Sequence, residues 1–203
     1  SAGDRNKLTN QFYVPSDDPY ILLAPAKIEW DWDATKAMDV IEDVKANLRV
    51  DDDRVYLTGL SMGGRGTYIV AAGMPGYFAA LMPLSSHHGP SSYIGLAPDV
   101  SHLPISISHG DADSVSSYDE AVQMAKALQM EGAYVNFNTI SGGVHGGWDK
   151  VYKSPTTFDW LLSQKRGTLH NYHLSVANGT GSGYYEAGEV IELVSDASSK
   201  GEN

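Results

Sequence analysis

The chain has no cysteine among its 203 residues. Disulfides and thiolate metal sites are therefore excluded. The absence does not fix the compartment, because secreted and cytoplasmic proteins both occur without cysteine. No apolar run approaches the roughly 20 residues a membrane-spanning helix needs. Positive charge is scarce: 14 Lys and Arg stand against 25 Asp and Glu, a net charge of −11, and no basic patch is visible. Nucleic acid and anionic membrane are thus not expected partners. What is present is an ordinary globular composition, 42% hydrophobic and 19% charged, enough for one sizeable core and a small appendage. The chain opens on Ser1-Ala2-Gly3-Asp4, which reads as the middle of a domain, so a missing leader is uninformative.

Apolar runs and helical patterns alternate along the chain. Tyr20 to Pro25 reads as a buried strand ended by proline. Ala34 to Leu48 carries Ala37, Met38, Ile41, Val44 and Leu48 close to helical spacing. Arg54 to Thr58, Phe78 to Leu84, Leu103 to Ser108 and Ala133 to Ile140 read as strands. Ser117 to Met130 and Thr156 to Gln164 read as helices. Strands alternating with helices predict an α/β fold, a mostly parallel sheet with helices on both faces. After Arg166 the vocabulary changes. Tyr172 to Val176, the glycine-rich Asn178 to Gly183, Tyr184-Tyr185 and Glu189 to Val194 predict a β-hairpin. Residues 1–166 therefore form the expected main domain, and 167–203 a tail too short to be secure alone.

Gly59-Leu60-Ser61-Met62-Gly63 lies where a strand is expected to meet a helix. G-x-S-x-G in that setting is a nucleophile elbow, a turn sharp enough to strain the serine backbone. Side chains two residues to either side are expected to collide, hence glycine at 59 and 63. A serine hydroxyl would then stand above the sheet, at the positive end of a helix.

Serine needs a histidine to take its proton, and the histidine needs a carboxylate to orient it. In an open α/β sheet these follow in the order Ser, Asp, His, at the carboxyl ends of strands. The strand at Leu103 to Ser108 runs into His109-Gly110-Asp111-Ala112-Asp113. The strand at Ala133 to Ile140 runs into Ser141-Gly142-Gly143-Val144-His145-Gly146-Gly147-Trp148. His145 is the candidate base, freed by glycines on both sides. Asp113 is preferred to Asp111 as the acid, and the other aspartate is expected to cap a turn.

On these stretches the chain resembles the α/β-hydrolase superfamily, in particular secreted esterases such as feruloyl esterases, polyhydroxybutyrate depolymerases and phospholipase/carboxylesterase-type enzymes. The resemblance rests on Val55 to Gly64, His109 to Val115, His145 to Trp148 and the closing Trp160 to Arg166, and covers about Ser1 to Arg166. It implies a carboxylic ester hydrolase that uses no cofactor or metal and is secreted from a bacterium. Ser61 would be the nucleophile, Asp113 the acid of the family's H-G-x-x-D pattern and His145 the base. Met62 N–H would form half of an oxyanion hole. The family's other donor sits in a loop near where this chain begins, which makes Ala2 the candidate. Strands missing before Tyr20 would leave an apolar sheet edge, open to homodimerisation. The tail resembles, more weakly, the start of a bacterial β-repeat module. A rival expectation follows from the same early start: a truncated, weakly active hydrolase domain serving as a binding module.

Trp30, Trp32, Trp148 and His87 are candidate substrate contacts, because each follows a strand at the end that carries the chemistry. His87 and His88 are expected to point apart and so not to share a metal. Asp51-Asp52-Asp53 reads as a solvated turn rather than a calcium loop. Arg65, in the elbow helix, is expected in a structural ion pair.

Overall fold

The computed structural model describes residues 20–27, 29–168, 172–174, 176, 179–180, 183–185 and 191–195. The chain divides into two compact units, Ser1–Gly167 and Thr168–Asn203.

The first unit is built on four parallel strands, β1 (Tyr56–Leu60), β2 (Ala80–Leu84), β3 (Ile105–Gly110) and β4 (Val135–Ile140), in the order β1-β2-β3-β4. Among the described residues six α-helices accompany them: α1 (Ala34–Asn47), α2 (Met62–Ala72), α3 (Ala97–Val100), α4 (Tyr118–Met130), α5 (Trp148–Tyr152) and α6 (Pro155–Ser163). Parallel neighbours need a crossover, and α2, α3 and α4 supply it.

Alternation along β2 separates two cores. Leu81 packs with Tyr68, Val70, Ile105, Ile107, Met124 and Leu128, under helices α2 and α4. Its neighbours Ala80, Met82 and Leu84 point to the other face and pack with Tyr152 and Leu161 of α5 and α6. Helices thus cover both faces of the sheet, and β2 and β3 are buried along their whole length.

The helix starts follow from local chemistry. The Asp33 carboxylate accepts the N–H groups of Thr35 and Lys36 at the start of α1, at 2.8 and 3.2 Å. Ser117 Oγ accepts Glu120 N–H at 3.2 Å, in the Ser-x-x-Glu arrangement that opens α4. The acidic turn is locally employed. Asp51 accepts Asp53 N–H, Asp52 pairs with Lys45 at 2.7 Å and Asp53 pairs with Arg166 at 3.1 Å.

Two expectations fail here. Tyr20 to Pro25 is not a strand, and Ile21, Leu22 and Leu23 are 48%, 42% and 37% exposed. Among the described residues the segment has no ladder to join, since β1 is the edge of the sheet and pairs only with β2. The second is α5, a helix that follows the glycine-rich stretch directly, where no element was expected.

In the second unit, Tyr172–Leu174 (β5) pairs antiparallel with Gly183–Tyr185 (β7), and Gly179–Thr180 (β6) with Val194–Ser195 (β8). The Tyr172 and Tyr184 segments pair as expected, whereas among the described residues of the last apolar run 191–193 are outside any strand and Val194 begins β8.

Candidate active site

Ser61 is the residue between β1 and α2, with φ 53° and ψ −118°, a conformation that side chains rarely adopt. Backbone hydrogen bonds hold it there. Ser61 N–H donates to Leu84 O at 2.9 Å, and Ser61 O accepts N–H from Arg65 at 3.1 Å and from His87 at 3.0 Å. Gly59 is sterically required, because a Cβ there would lie 2.4 Å from the carbonyl carbon and oxygen of Gly63. Gly63 departs from expectation, since a Cβ on it would meet open space. The turn is tight on one side only. Gly59→Ala is expected to cost ~3 kcal/mol or more, because backbone cannot rotate away as a side chain can. Thermal or urea unfolding checks this, and an unchanged midpoint would mean the elbow can open.

The helix behind Ser61 is anchored from outside. A Cβ on Gly66 would lie 2.5 Å from the Trp32 ring, and Trp32 Nε1 donates to Met62 O at 2.8 Å. Arg65, 4% exposed, makes an ion pair with Asp31 at 2.8 Å and donates to Ser91 O. Met62 opens the helix, so its N–H has no acceptor within that helix.

His145 joins two of the expected residues. Its Nε2 is 2.9 Å from Ser61 Oγ, and its Nδ1 is 2.8 Å from Asp113 Oδ2. A carboxylate can only accept, so the neutral imidazole carries its proton on Nδ1 and leaves Nε2 free to accept from the serine hydroxyl. Asp113 is fixed on its other oxygen: Oδ1 accepts the N–H groups of Val115 and Ser116, both at 2.9 Å. Burial pushes the Asp113 carboxyl up, but the Ser116 N–H, His145 and the Val115 N–H outweigh it and leave the pKa below the ordinary carboxylate value. The side chain of Asp113 is fully buried and that of His145 is 16% exposed. Asp111 does a different job. Its Oδ1 accepts Gly142 N–H at 2.6 Å and ties the loop that carries His145 to the end of β3. Gly110 permits that contact, since a Cβ on it would lie 2.1 Å from Gly143 O.

The downstream side of the His145 loop is held by α5. Trp148 stands edge-on to His145, ring centres 5.0 Å apart, and its Nε1 donates to Ser85 Oγ at 3.0 Å. At the far end of α5, Tyr152 OH and Thr58 Oγ1 are 2.8 Å apart. Sequence reasoning missed Ser85. Its signal is conformational, a buried non-glycine residue with φ 43° that no composition or spacing betrays.

The other expected residues scatter. Trp30 is 61% exposed, with the Lys27 ammonium 5.4 Å from its ring. Trp32 is engaged with the elbow helix, as above. His87 is adjacent to Ser61 through its backbone N–H, and its ring stacks on His88 at 5.0 Å, with the planes 7° apart. That corrects the expectation that the two point apart: β2 ends at Leu84, so the pair lies in a turn and strand alternation does not apply. Each Nδ1 accepts a backbone N–H, from Gly89 at 3.1 Å for His87 and from Ser117 at 3.3 Å for His88. No group of three His, Cys, Asp or Glu among the described residues is placed to hold a metal. Ala2 lies outside the described residues.

Every residue of this cluster belongs to the first unit. A chain ending at Gly167 is therefore expected to keep its rate on a small soluble ester, within about threefold, since no catalytic contact is removed. An order-of-magnitude fall with the fold intact would mean that the tail completes the site.

Comparison with known proteins agrees with this architecture. Residues 34% identical over a 95-residue stretch occur in a bifunctional acetylxylan esterase/xylanase of Neocallimastix patriciarum, covering 45% of this chain and 14% of that protein. Poly(3-hydroxyalkanoate) depolymerase C of Paucimonas lemoignei is 29% identical over 156 residues, 60% of this chain and 36% of the relative. The chain thus spans about a third or less of the curated relatives it matches. Among solved structures, a thermostable esterase superposes with a TM-score of 0.60 at 26% identity, covering 65% of this chain and 36% of that one. The family model of the dienelactone hydrolases matches residues 25–154, which hold the elbow, both aspartates and the His145 loop. The chain belongs to the dienelactone hydrolase family, a branch of the α/β-hydrolases.

Proposed function

We propose that this chain hydrolyses carboxylic esters by way of an acyl-enzyme on Ser61. The observation that carries the reading is the continuous path Asp113 Oδ2, His145 Nδ1, His145 Nε2, Ser61 Oγ, with steps of 2.8 and 2.9 Å across the ring. Ser61 Oγ attacks the ester carbonyl carbon while its proton passes to His145 Nε2. The carbonyl oxygen becomes an oxyanion, and Met62 N–H is the donor that opens the hole for it. Asp113 stays ionised and stabilises the imidazolium. The imidazolium then protonates the leaving alkoxide, and the alcohol departs. A water enters, gives its proton to His145 and attacks the acyl carbon. Collapse of the second tetrahedral species frees the carboxylic acid and returns the proton to Ser61 Oγ. Ala2 N–H remains the proposed second donor.

The substrate class we infer is an acyl group carried on a polymer or a short alcohol: acetyl or feruloyl esters of plant polysaccharides, aliphatic polyesters, or simple short-chain esters. The relatives named for acetylxylan and for polyhydroxyalkanoate support this range. So do the apolar side chains beside the acid and base, Val115 and Val144, which are 50% and 64% exposed and suited to an extended chain. Esterified plant polysaccharide lies outside the cell, which is where an enzyme acting on it would work. Turnover of p-nitrophenyl acetate and butyrate tests the reaction, and release of acid from acetylxylan, feruloylated arabinoxylan and a polyhydroxybutyrate film ranks the substrates. No turnover of any ester, together with no labelling by a fluorophosphonate, would overturn the proposal and leave a binding module.

A further inference from the structure

His109 is the least expected residue in the core. It lies on β3 two residues beyond Ile107 and four beyond Ile105, on the face that those two fill with apolar contacts. It is fully buried, and among the described residues its Nδ1 has no hydrogen-bond partner. A buried nitrogen left unpaired costs stability, and a leucine or methionine would fill the space without that cost. The compensation lies at the other nitrogen. His109 Nε2 is 3.2 Å from Ser116 O and 3.4 Å from Asp113 Oδ2. Both are acceptors only, so Nε2 carries the proton and Nδ1 is bare.

We propose that His109 is a positioning residue for the acid: its Nε2–H holds the Asp113–Ser116 turn closed by the Ser116 carbonyl and lies against Asp113 Oδ2, setting the carboxylate against which His145 turns. This rests on the proposed roles of Ser61, His145 and Asp113. The two ends of one residue are used together. Ser116 N–H donates to Asp113 Oδ1 at 2.9 Å, while Ser116 O takes the His109 proton. The carboxylate is thereby gripped on Oδ1 by backbone and flanked on Oδ2 by two imidazoles, His145 at 2.8 Å and His109 at 3.4 Å. The ionisable groups facing His109 are Asp113, His145 beyond it, and Tyr118, whose ring stands edge-on at 5.9 Å. Burial, chiefly, holds the His109 pKa below the ordinary imidazole value, which keeps it a neutral donor. A cation there would compete with His145 for the same carboxylate.

The test compares His109→Met with His109→Gln in the full chain. The two side chains are close in size, and glutamine places its amide nitrogen as many bonds from Cβ as Nε2 of histidine, so only glutamine restores the donor. Met is expected to lower kcat roughly fivefold, the worth of one hydrogen bond to a carbonyl. It is also expected to move the acid limb of the pH profile to higher pH, because the carboxylate without the Nε2–H dipole beside Oδ2 stabilises the His145 cation more. Gln is expected to restore both kcat and the limb to near wild type. Equal losses in Met and Gln, or a wild-type rate and profile in Met, would overturn the proposal. Should both variants fail to fold, ¹⁵N-histidine spectra of the unaltered protein decide. His109 is expected as the neutral Nε2–H tautomer at neutral pH, and a Nδ1–H tautomer or a cation there would overturn the assignment. Fluorophosphonate labelling separates this from the reading beneath it. Label at a residue other than Ser61 overturns both, whereas label at Ser61 with an indifferent Met variant removes His109 alone.

Discussion

Ser61→Ala is expected to lower ester turnover roughly 10⁴- to 10⁶-fold with no loss of fold. The strained backbone at this position is held by main-chain hydrogen bonds to Leu84, Arg65 and His87, none of which involves the hydroxyl. What the hydroxyl contributes is its contact with His145 Nε2. Removing it takes away the attacking atom and leaves the elbow in place. Steady-state rates on p-nitrophenyl butyrate, with circular dichroism and a melting curve, measure both halves of the expectation. A variant that keeps more than a tenth of the activity would remove Ser61 from the mechanism.

Asp113→Asn is expected to cost roughly 10⁴-fold in turnover, whereas Asp111→Asn should cost little. The direction follows from which atoms the neighbours accept. Val115 and Ser116 present N–H groups to Oδ1, so an asparagine at 113 must place its carbonyl oxygen there and turn its NH₂ towards His145. The imidazole then has to accept at Nδ1 and carry its proton on Nε2, where it can no longer take one from Ser61. At position 111 the partner is Gly142 N–H, which an amide oxygen accepts as well as a carboxylate does. Equal losses in the two variants would show that geometry at 113 is not what matters. The lowered pKa of Asp113 also fixes a sign. A folded carboxyl below its unfolded value contributes stability that is fully present above the unfolded pKa, about 3.9, and lost as pH falls through the folded value.

The features legible in the sequence are those set by local pattern. The strand–Ser61–helix junction and the placing of His145 and Asp113 after successive strands follow from apolar runs and glycine spacing. The start of α4 was legible too, because Ser117 and Glu120 name it directly. What stayed hidden depends on neighbours distant in the chain. Tyr20 to Leu23 has the composition of a buried strand, but a strand exists only when another pairs with it. Helix α5 has no strong local signal, being five residues behind a glycine run, and exists because Tyr152 is buried beside Thr58 and Trp148 reaches Ser85. Gly63 looks as constrained as Gly59, and only the third dimension tells them apart. His109 was visible as a letter in a motif, but its contact with the Asp113 turn was not.

The three residues after β2 have a consequence for how such an enzyme can change its substrate. Ser85 carries the indole that stands against His145, and His87 donates its N–H to the carbonyl of Ser61. A loop beside a reacting atom is the usual place for evolution to try new side chains, because loops tolerate exchange. Here that freedom is confined to the side chains at 87 and 88, since Ser86 is buried against Gly64 and the main chain at 87 and the conformation at 85 are shared with Ser61 and with the indole beside His145. Inserting or deleting one residue in this stretch would displace Ser61 and the indole beside His145, and with them the proposed hydrolytic machinery. Of the neighbouring positions, Val115 and Val144 offer exposed side chains, and exchange there at unchanged length is the route expected to alter the choice of acyl group, because the main chain at 115 holds Asp113 and that at 144 leads into His145.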